Sequence, residues 1–262
     1  MLNPIADILT SVGPPVRWLI PDLLPEGYLV TLVGEPGCGK SYLSYVLSLA
    51  LATRTTVLER ELFVPRTVLY FDQENSRPDR DEYVRMAWHG LGRPSISLLE
   101  RHFWPQHFTL GDLGWYKTMT ACIEEIRPDL VVVDTATPSF CIRDEDKNAE
   151  AGFVINQLRV LQRTYAPLTF LVLKHQLLVH ERQQRLTVRG AKHWEGAADS
   201  VLFYLKAPGR KAQDGLHAAY LESIKGRAFG LSSGTQLHVK PTWTADRKGK
   251  RLGLYVPSAE WQ

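Results

Sequence analysis

The sequence predicts an α/β domain with a mostly parallel central sheet and flanking helices. Apolar runs of strand length recur along the chain, at 28–33, 67–72, 129–134, 168–173 and 200–205. Their nearly continuous Val, Leu and Tyr content is typical of strands that are covered on both faces of a parallel sheet.

Helix-length segments lie between these runs, at 40–52, 80–90, 115–127 and 147–164. In the last two, apolar residues recur at the spacing of one helix face, which indicates helices that pack on the sheet. Strands that alternate with helices imply right-handed crossovers and a mostly parallel sheet. Because ligands bind at the carboxyl ends of such strands, polar residues there are the first candidates for function.

The pattern changes after about residue 205, where polar turns separate shorter strands. Strands are predicted at 218–225, 236–240 and 253–256, and 206–216 is predicted to be an exposed loop. We expect these strands to form a β-rich C-terminal extension of the same sheet. The predicted organisation is a single domain over 1–262, with an N-terminal arm at 1–26, a core at 27–232 and the extension at 233–262.

Composition excludes several classes of protein. The chain has 262 residues, 44% of them hydrophobic, and a net charge of +3, so a sizeable core can form and charge alone does not indicate nucleic acid. Three widely spaced cysteines argue against a disulfide framework or a zinc site and fit a reducing compartment. The longest apolar stretch, 42–52, is too short to span a bilayer. We expect a soluble cytoplasmic protein with no membrane partner.

The segment GEPGCGKS at 34–41 matches the pattern G-x-x-x-x-G-K-[S/T] between a predicted strand and a predicted helix. Its glycines let backbone N–H groups face phosphate oxygens, and the helix N-terminus attracts the same negative charge. Lys40 would reach the β- and γ-phosphates, and Ser41 would bind Mg²⁺. The sequence therefore predicts binding of ATP with Mg²⁺. The predicted nucleotide-binding residues are Gly34, Glu35, Pro36, Gly37, Cys38, Gly39, Lys40, Ser41 and Tyr42.

Acidic residues follow two further predicted strands. Asp134 closes DLVVVD, where a carboxylate can hold the metal ion through water, although an Asp here can also begin a turn. Asp72 and Glu74 lie in YFDQEN, and either could orient the attacking water of a hydrolase. We favour Glu74 because it lies past the strand end. Many small-molecule kinases need no such acid.

His175 ends the strand LTFLVLKH. A polar side chain at this point can contact the γ-phosphate and report its loss to neighbouring loops. A histidine that simply caps the strand end is the alternative interpretation.

Two cations alternate in SIKGRAFG, at the end of a late predicted strand. Period two places Lys225 and Arg227 on one face of that strand. Taken alone, this pattern is typical of a solvated strand end.

These segments, in this order, resemble the RecA-type P-loop ATPases of the hexameric replicative-helicase branch, especially the compact RepA-like plasmid and phage proteins, and DnaB-like proteins. The resemblance covers roughly residues 16 to 232, from WLIPDLLPEGYLVTLVGEPGCGKS through YFDQEN, DLVVVDTATPSF, DEDKNAE, VLKHQ and RGAKHWEGAAD to SIKGRAFG. It implies a RecA-like P-loop core.

The resemblance also implies roles for single residues. Glu74 would be the catalytic glutamate and His175 the γ-phosphate sensor. Lys225 and Arg227 would be fingers that enter the neighbouring subunit's active site, within a homo-oligomeric ring such as a hexamer. A cation supplied in this way can raise the hydrolysis rate by about 10³–10⁵ in other NTPases.

The loop after the His175 strand is the candidate for single-stranded DNA. It carries Arg182, Arg185, Arg189 and Lys192, which can track phosphates, beside Trp194, which can stack on bases. A surface loop with ordinary arginine content is the alternative.

The sequence as a whole predicts an ATPase that oligomerises and couples hydrolysis to binding of, or movement on, single-stranded DNA, in a replication or repair role. A P-loop phosphotransferase is one alternative. A second is a non-motor regulator that uses ATP only to stabilise an assembly.

Overall fold

The computed structural model describes residues 5, 15–106, 114–144, 147–175, 192–211, 217–226, 235–239, 242–245, 251–255 and 258–261. Within these residues the strands are β1 (Trp18–Ile20), β2 (Leu24–Pro25), β3 (Leu29–Gly34), β4 (Val68–Asp72), β5 (Phe103–Gln106), β6 (Leu130–Asp134), β7 (Thr169–His175), β8 (Ser200–Lys211), β9 (His217–Gly226), β10 (Thr235–Val239), β11 (Thr242–Ala245), β12 (Arg251–Tyr255) and β13 (Ser258–Trp261).

The helices in the same residues are α1 (Lys40–Thr53), α2 (Arg77–Gly90), α3 (Ile96–His102), α4 (Trp115–Ile126), α5 (Ala136–Ser139), α6 (Asn148–Thr164) and α7 (Lys192–Ala197). None of these helices has the length and apolar composition needed to cross a membrane.

Among the described residues, nine strands form one sheet in the order β13-β10-β9-β8-β3-β7-β6-β4-β5. The six strands from β8 to β5 run parallel. The remaining strands, β9, β10 and β13, pair antiparallel. The predicted α/β class with a mostly parallel sheet and flanking helices is confirmed.

The continuous apolar runs arise because helices cover both faces of the sheet. On β3, Val30 and Leu32 belong to the core cluster that contains α1, whereas Leu29 and Val33 belong to the cluster that contains α4 and α6. Successive side chains of a strand point to opposite faces, so a strand buried on both sides needs apolar residues at every position.

Several short elements were not predicted, and β5 and α3 are the clearest examples. The edge strand β5 and the helix α3 before it lie in a segment that contains the sequence FWPQ. Proline is tolerated in an edge strand because one side of that strand makes no ladder hydrogen bonds. A short strand that contains proline therefore carries a weak sequence signal.

The prediction of a loop at 206–216 is wrong for 206–211, which lie in β8. Lys211 pairs with His217, so the β8–β9 hairpin continues past the Pro-Gly segment that indicated a turn. The C-terminal strands also differ from the expectation of one continuous sheet. β10 and β13 join the main sheet, but β11 and β12 pair only with each other among the described strands and lie against α2.

Candidate nucleotide site

The loop between β3 and α1 contains the glycines of the sequence motif. Gly37 and Gly39 have positive φ values of 68° and 99°, which glycine adopts without strain. Gly34 lies against the neighbouring strand, since a Cβ placed there would be 2.6 Å from the carbonyl oxygen of Tyr204 and 2.8 Å from Sγ of Cys38. The loop therefore needs glycine both for its curvature and for its close contact with β8.

Lys40 begins α1, and its side chain turns back into the loop. Nζ donates hydrogen bonds to the carbonyl oxygens of Gly34, at 3.0 Å, and Glu35, at 2.9 Å. The N-cap residue Gly39 has no side chain to bond the first N–H groups of the helix. The ammonium group and the helix N-terminus thus lie together, an arrangement that suits phosphate oxygens.

Asp134 ends β6 and is fully buried. Its Oδ2 accepts a hydrogen bond from the hydroxyl of Tyr70 at 3.0 Å. Its Oδ1 is buried and has no hydrogen-bond partner among the residues that the structure describes. A carboxylate oxygen and the nearby Ser41 hydroxyl are oxygen ligands of the kind that Mg²⁺ prefers, so the residues present fit this ion.

The environment of Asp134 favours its protonated form. Burial raises the pKa of its carboxyl to about 7, and the negative charges of Asp72 and Glu74 add to the rise. The hydroxyls of Ser41 and Tyr70 oppose it. A divalent cation bound beside Asp134 would stabilise the ionised form of its carboxyl and so lower its pKa.

Asp72 is the neighbour of Asp134 across the β4–β6 ladder and is equally buried, but its hydrogen bonds are different. Its Oδ1 accepts from the backbone N–H groups of Glu74 and Asn75, at 3.1 and 2.9 Å. Nδ2 of Asn75 donates to both carboxylate oxygens, and the hydroxyl of Tyr45 donates to Oδ2 at 2.7 Å. Asp72 therefore holds the turn after β4 in place. It is a poor candidate for the catalytic acid that the sequence left open.

Glu74 lies within that turn, two residues after Asp72, and 38% of its side chain is exposed. Its Oε1 is 3.5 Å from Nε2 of His175. The His175 imidazole lowers the pKa of Glu74, and the nearby Thr135 and Lys40 lower it further, while partial burial opposes them. Glu74 is therefore an ionised, accessible carboxylate beside the phosphate loop, as a water-orienting acceptor must be.

The structure thus brings together five of the residues singled out from the sequence. They are Lys40, Ser41, Glu74, Asp134 and His175. All lie at the carboxyl ends of parallel strands or at the start of α1, the edge at which α/β sheets bind ligands.

The match to known families covers most of the chain. Residues 2–176 match the family model described as AAA domain. The chain belongs to the AAA-domain family. No curated protein matches its sequence. The structure is similar to the crystal structure of the RadB recombinase, with a TM-score of 0.59 and 14% identity over 90% of this chain and 92% of that one. This similarity confirms the RecA-like fold.

Lys225 of this AAA-domain protein lies away from the phosphate loop of its own chain. It pairs with Val201 on β8, which pairs with Thr31 near the middle of β3, so two strand spacings separate it from β3. Its Nζ donates to the carbonyl oxygens of Glu195, at 2.9 Å, and Gly196. Lys225 therefore binds the C-terminal end of α7.

Other predicted residues lie outside the described part of this AAA-domain protein. Arg227, the second predicted finger, is one of them, and so are the predicted DNA-binding residues Arg182, Arg185 and Arg189. Lys192 is the first residue of α7. Trp194 on the same helix is buried in the core, so the prediction that it stacks on bases is wrong.

The sequence analysis missed the polar side chains beneath the two aspartates. Tyr45 and Tyr70 lie in apolar runs, where tyrosine was counted only as a core residue. Ser44 and Ser48 are on the buried helix α1 and could have provided a signal, because a buried hydroxyl needs a partner. Ser48 bonds the carbonyl oxygen of Ser44 in its own helix, whereas Ser44 contacts Tyr70 on β4.

Proposed function

We propose that this protein binds ATP with Mg²⁺ at the loop 34–41, hydrolyses it, and does so as an oligomer on single-stranded DNA. The observation that carries the proposal is the position of Glu74, which is ionised and accessible beside Lys40 and His175. A transferase that must exclude water has no need of such a carboxylate.

The cluster supports a division of roles in hydrolysis. The loop N–H groups and Lys40 would bind the phosphates, and Ser41 and Asp134 would hold Mg²⁺, which neutralises phosphate charge when it is bound. Glu74 would accept a proton from the attacking water or orient that water. His175, in contact with Glu74, would sense the γ-phosphate.

The position of Lys225 supports assembly. This residue lies two strands from β3, at the level of Thr31 and therefore before the carboxyl end of β3, where the phosphate loop begins. With its Nζ turned to α7, Lys225 is a candidate for a role at the site of a neighbouring subunit. We propose that Lys225 and Arg227 act there, in a ring of the RepA-like kind.

The proposal of single-stranded DNA as partner rests on the sequence of 176–194, with Arg182, Arg185, Arg189 and Lys192. The fold shared with a protein named as a recombinase is consistent with it. In a RepA-like helicase, hydrolysis would drive movement along the strand.

Steady-state ATP hydrolysis tests this function. The rate per subunit, measured across protein concentrations with and without single-stranded DNA, should rise with concentration and rise again with DNA. Glu74→Gln should bind ATP normally but hydrolyse it about 100-fold more slowly. A slow rate that responds to neither variable would favour the non-motor regulator. Transfer of the γ-phosphate to another acceptor would favour the phosphotransferase.

A mixing experiment tests the fingers. Lys40→Ala subunits lack the site lysine, and Arg227→Ala subunits lack a finger, so each preparation should be inactive alone. Mixed together, they should recover part of the activity if the finger acts on the neighbour. The matched control mixes Lys40→Ala with the double variant Lys40→Ala/Arg227→Ala, and it should stay inactive. No recovery in the first mixture would contradict action in trans.

A further inference from the structure

Two stacked tyrosines lie beneath the two strand-end aspartates. The rings of Tyr45, on α1, and Tyr70, on β4, are 4.2 Å apart and 10° from parallel, and both side chains are fully buried. The hydroxyl of Tyr45 donates to Asp72 at 2.7 Å, and that of Tyr70 donates to Asp134 at 3.0 Å. The two stacked rings thus donate hydrogen bonds to different carboxylates.

Tyr70 also connects Asp134 to the start of α1. Its hydroxyl is 2.6 Å from Oγ of Ser44, and that Oγ is 2.7 Å from the carbonyl oxygen of Ser41. Ser44 has one hydrogen, which it can donate to Tyr70 or to Ser41. The tyrosine has one hydrogen and two acceptors within reach. An ionised carboxylate is the stronger acceptor, so this hydrogen belongs to Asp134 whenever that group is charged.

The two aspartates depend on their tyrosines to different degrees. Asp72 would keep its bonds to the backbone and to Asn75 without Tyr45. In contrast, Asp134 is held at Oδ2 by the Tyr70 hydroxyl, and its other hydroxyl neighbour, Ser41, is a residue that would itself bind Mg²⁺. Without Tyr70, no residue outside the proposed metal site would hold this carboxylate by a hydrogen bond that the described residues show.

We propose that Tyr70 is a positioning residue for the metal, which holds Oδ2 of Asp134 and leaves Oδ1 for Mg²⁺ or its bound water. The inference rests on the proposed function, since it takes Asp134 as the carboxylate that holds the ion. Partners that orient a metal-ligating carboxylate typically change metal affinity about 10–100-fold when they are removed. Ser44 extends the contact to α1, whose first turn contains Ser41.

The substitution Tyr70→Phe tests this role in the full-length protein. It removes one hydroxyl and keeps the ring, its volume and its stack on Tyr45. The Mg²⁺ concentration for half-maximal binding of a fluorescent ATP analogue should rise about tenfold. Direct Mn²⁺ binding, followed by electron paramagnetic resonance, should weaken by a similar factor. Neither measurement depends on hydrolysis.

The matched control is Tyr45→Phe, which removes the other hydroxyl from the same stack. It should lower stability but shift the Mg²⁺ midpoint less than about twofold, because Tyr45 serves Asp72. Equal shifts in the two variants, or no shift in either, would overturn the role of Tyr70. If the unsubstituted protein bound the analogue with no dependence on Mg²⁺, the proposed function itself would fall. Should Tyr70→Phe unfold, trimethylamine N-oxide added to all samples would favour the compact state for the same titration.

Discussion

Asp72 and Asp134 have the same side chain, the same burial and adjacent places in the sheet, but they differ in how their oxygens are used. Both close parallel strands and pair across the β4–β6 ladder. Asp72 accepts hydrogen bonds at both oxygens, whereas Asp134 accepts from Tyr70 at Oδ2 and has no partner at Oδ1 among the described residues. The difference teaches that burial alone does not separate a structural carboxylate from a ligand-binding one. The hydrogen bonds made by each carboxylate oxygen do separate the two.

The largest expected effect is on hydrolysis. Asp134→Asn keeps the shape of the side chain and an acceptor for Tyr70 but removes the charge that would hold Mg²⁺. We expect ATP hydrolysis to fall about 1,000-fold, since a metal ion contributes several kcal/mol to phosphoryl-transfer transition states. Steady-state phosphate release measures this effect. A rate within roughly threefold of that of the unsubstituted protein would show that Asp134 does not hold the metal.

The effect on stability should be larger for substitution of Asp72 than for substitution of Asp134. Asp72→Ala leaves the Tyr45 hydroxyl and the donors of the following turn without their acceptor, so the free energy of unfolding should fall by about 3 kcal/mol. Asp134→Ala removes a buried charge and leaves Tyr70 next to Ser44, so it should change stability by less than about 1 kcal/mol. Urea unfolding monitored by circular dichroism compares the two. Equal losses would contradict the structural role assigned to Asp72.

The pH dependence of stability should reveal the raised pKa of Asp134. Between the unfolded value of 3.8 and the folded value of about 7, the folded protein holds a proton that the unfolded chain has lost. This contribution is fully present below the unfolded pKa and disappears as pH rises through the folded pKa. In metal-free buffer, the free energy of unfolding should therefore fall by about 2 kcal/mol from about pH 5.5 to about pH 8.

Urea unfolding at several pH values measures this slope, and Asp134→Asn provides the control because an amide does not titrate. The slope should be shallower in the variant. An unchanged slope would assign the effect to other groups.

The smallest expected effect is the stability change in Lys225→Met, which extends the comparison to two lysines that each bind two backbone carbonyl oxygens. Lys40 does so inside the phosphate loop, and Lys225 does so at the C-terminal end of α7. Lys40→Met should abolish ATP binding. Lys225→Met should leave ATP binding intact and lower the free energy of unfolding by about 1 kcal/mol, since a cation there satisfies helix-end carbonyl groups. Isothermal titration calorimetry and urea unfolding check the pair, and full stability in Lys225→Met would show that the cap is not formed in solution.

The strands of the parallel sheet and the phosphate loop could be predicted because local sequence patterns indicate both. Apolar runs report strands buried on both faces, and the glycine spacing reports the loop. The choice between Asp72 and Glu74 stayed open because it depends on Tyr45, which approaches from another element. The hydrogen bonds of the Tyr45 and Tyr70 hydroxyls could not be predicted, because an apolar run does not indicate which tyrosine has a polar partner.

The sequence predicts a β8 strand that is too short for a related reason. Proline and glycine at 206–211 indicate a turn locally, but the ladder to β9 decides the backbone. Likewise, the contact of Lys225 with α7 joins segments about 30 residues apart, beyond the reach of any periodicity.

The close approach of Gly34 to β8 places the phosphate loop directly against a strand that also pairs with β9. The carbonyl oxygen of Tyr204 forms part of the wall of the phosphate loop, and Val201, three residues earlier on the same strand, pairs with Lys225. A methyl group at residue 34 would push on a backbone that is held on its far side by β9. The shape of the phosphate loop therefore depends on glycine at residue 34, because neither the loop nor β8 has room for a side chain there.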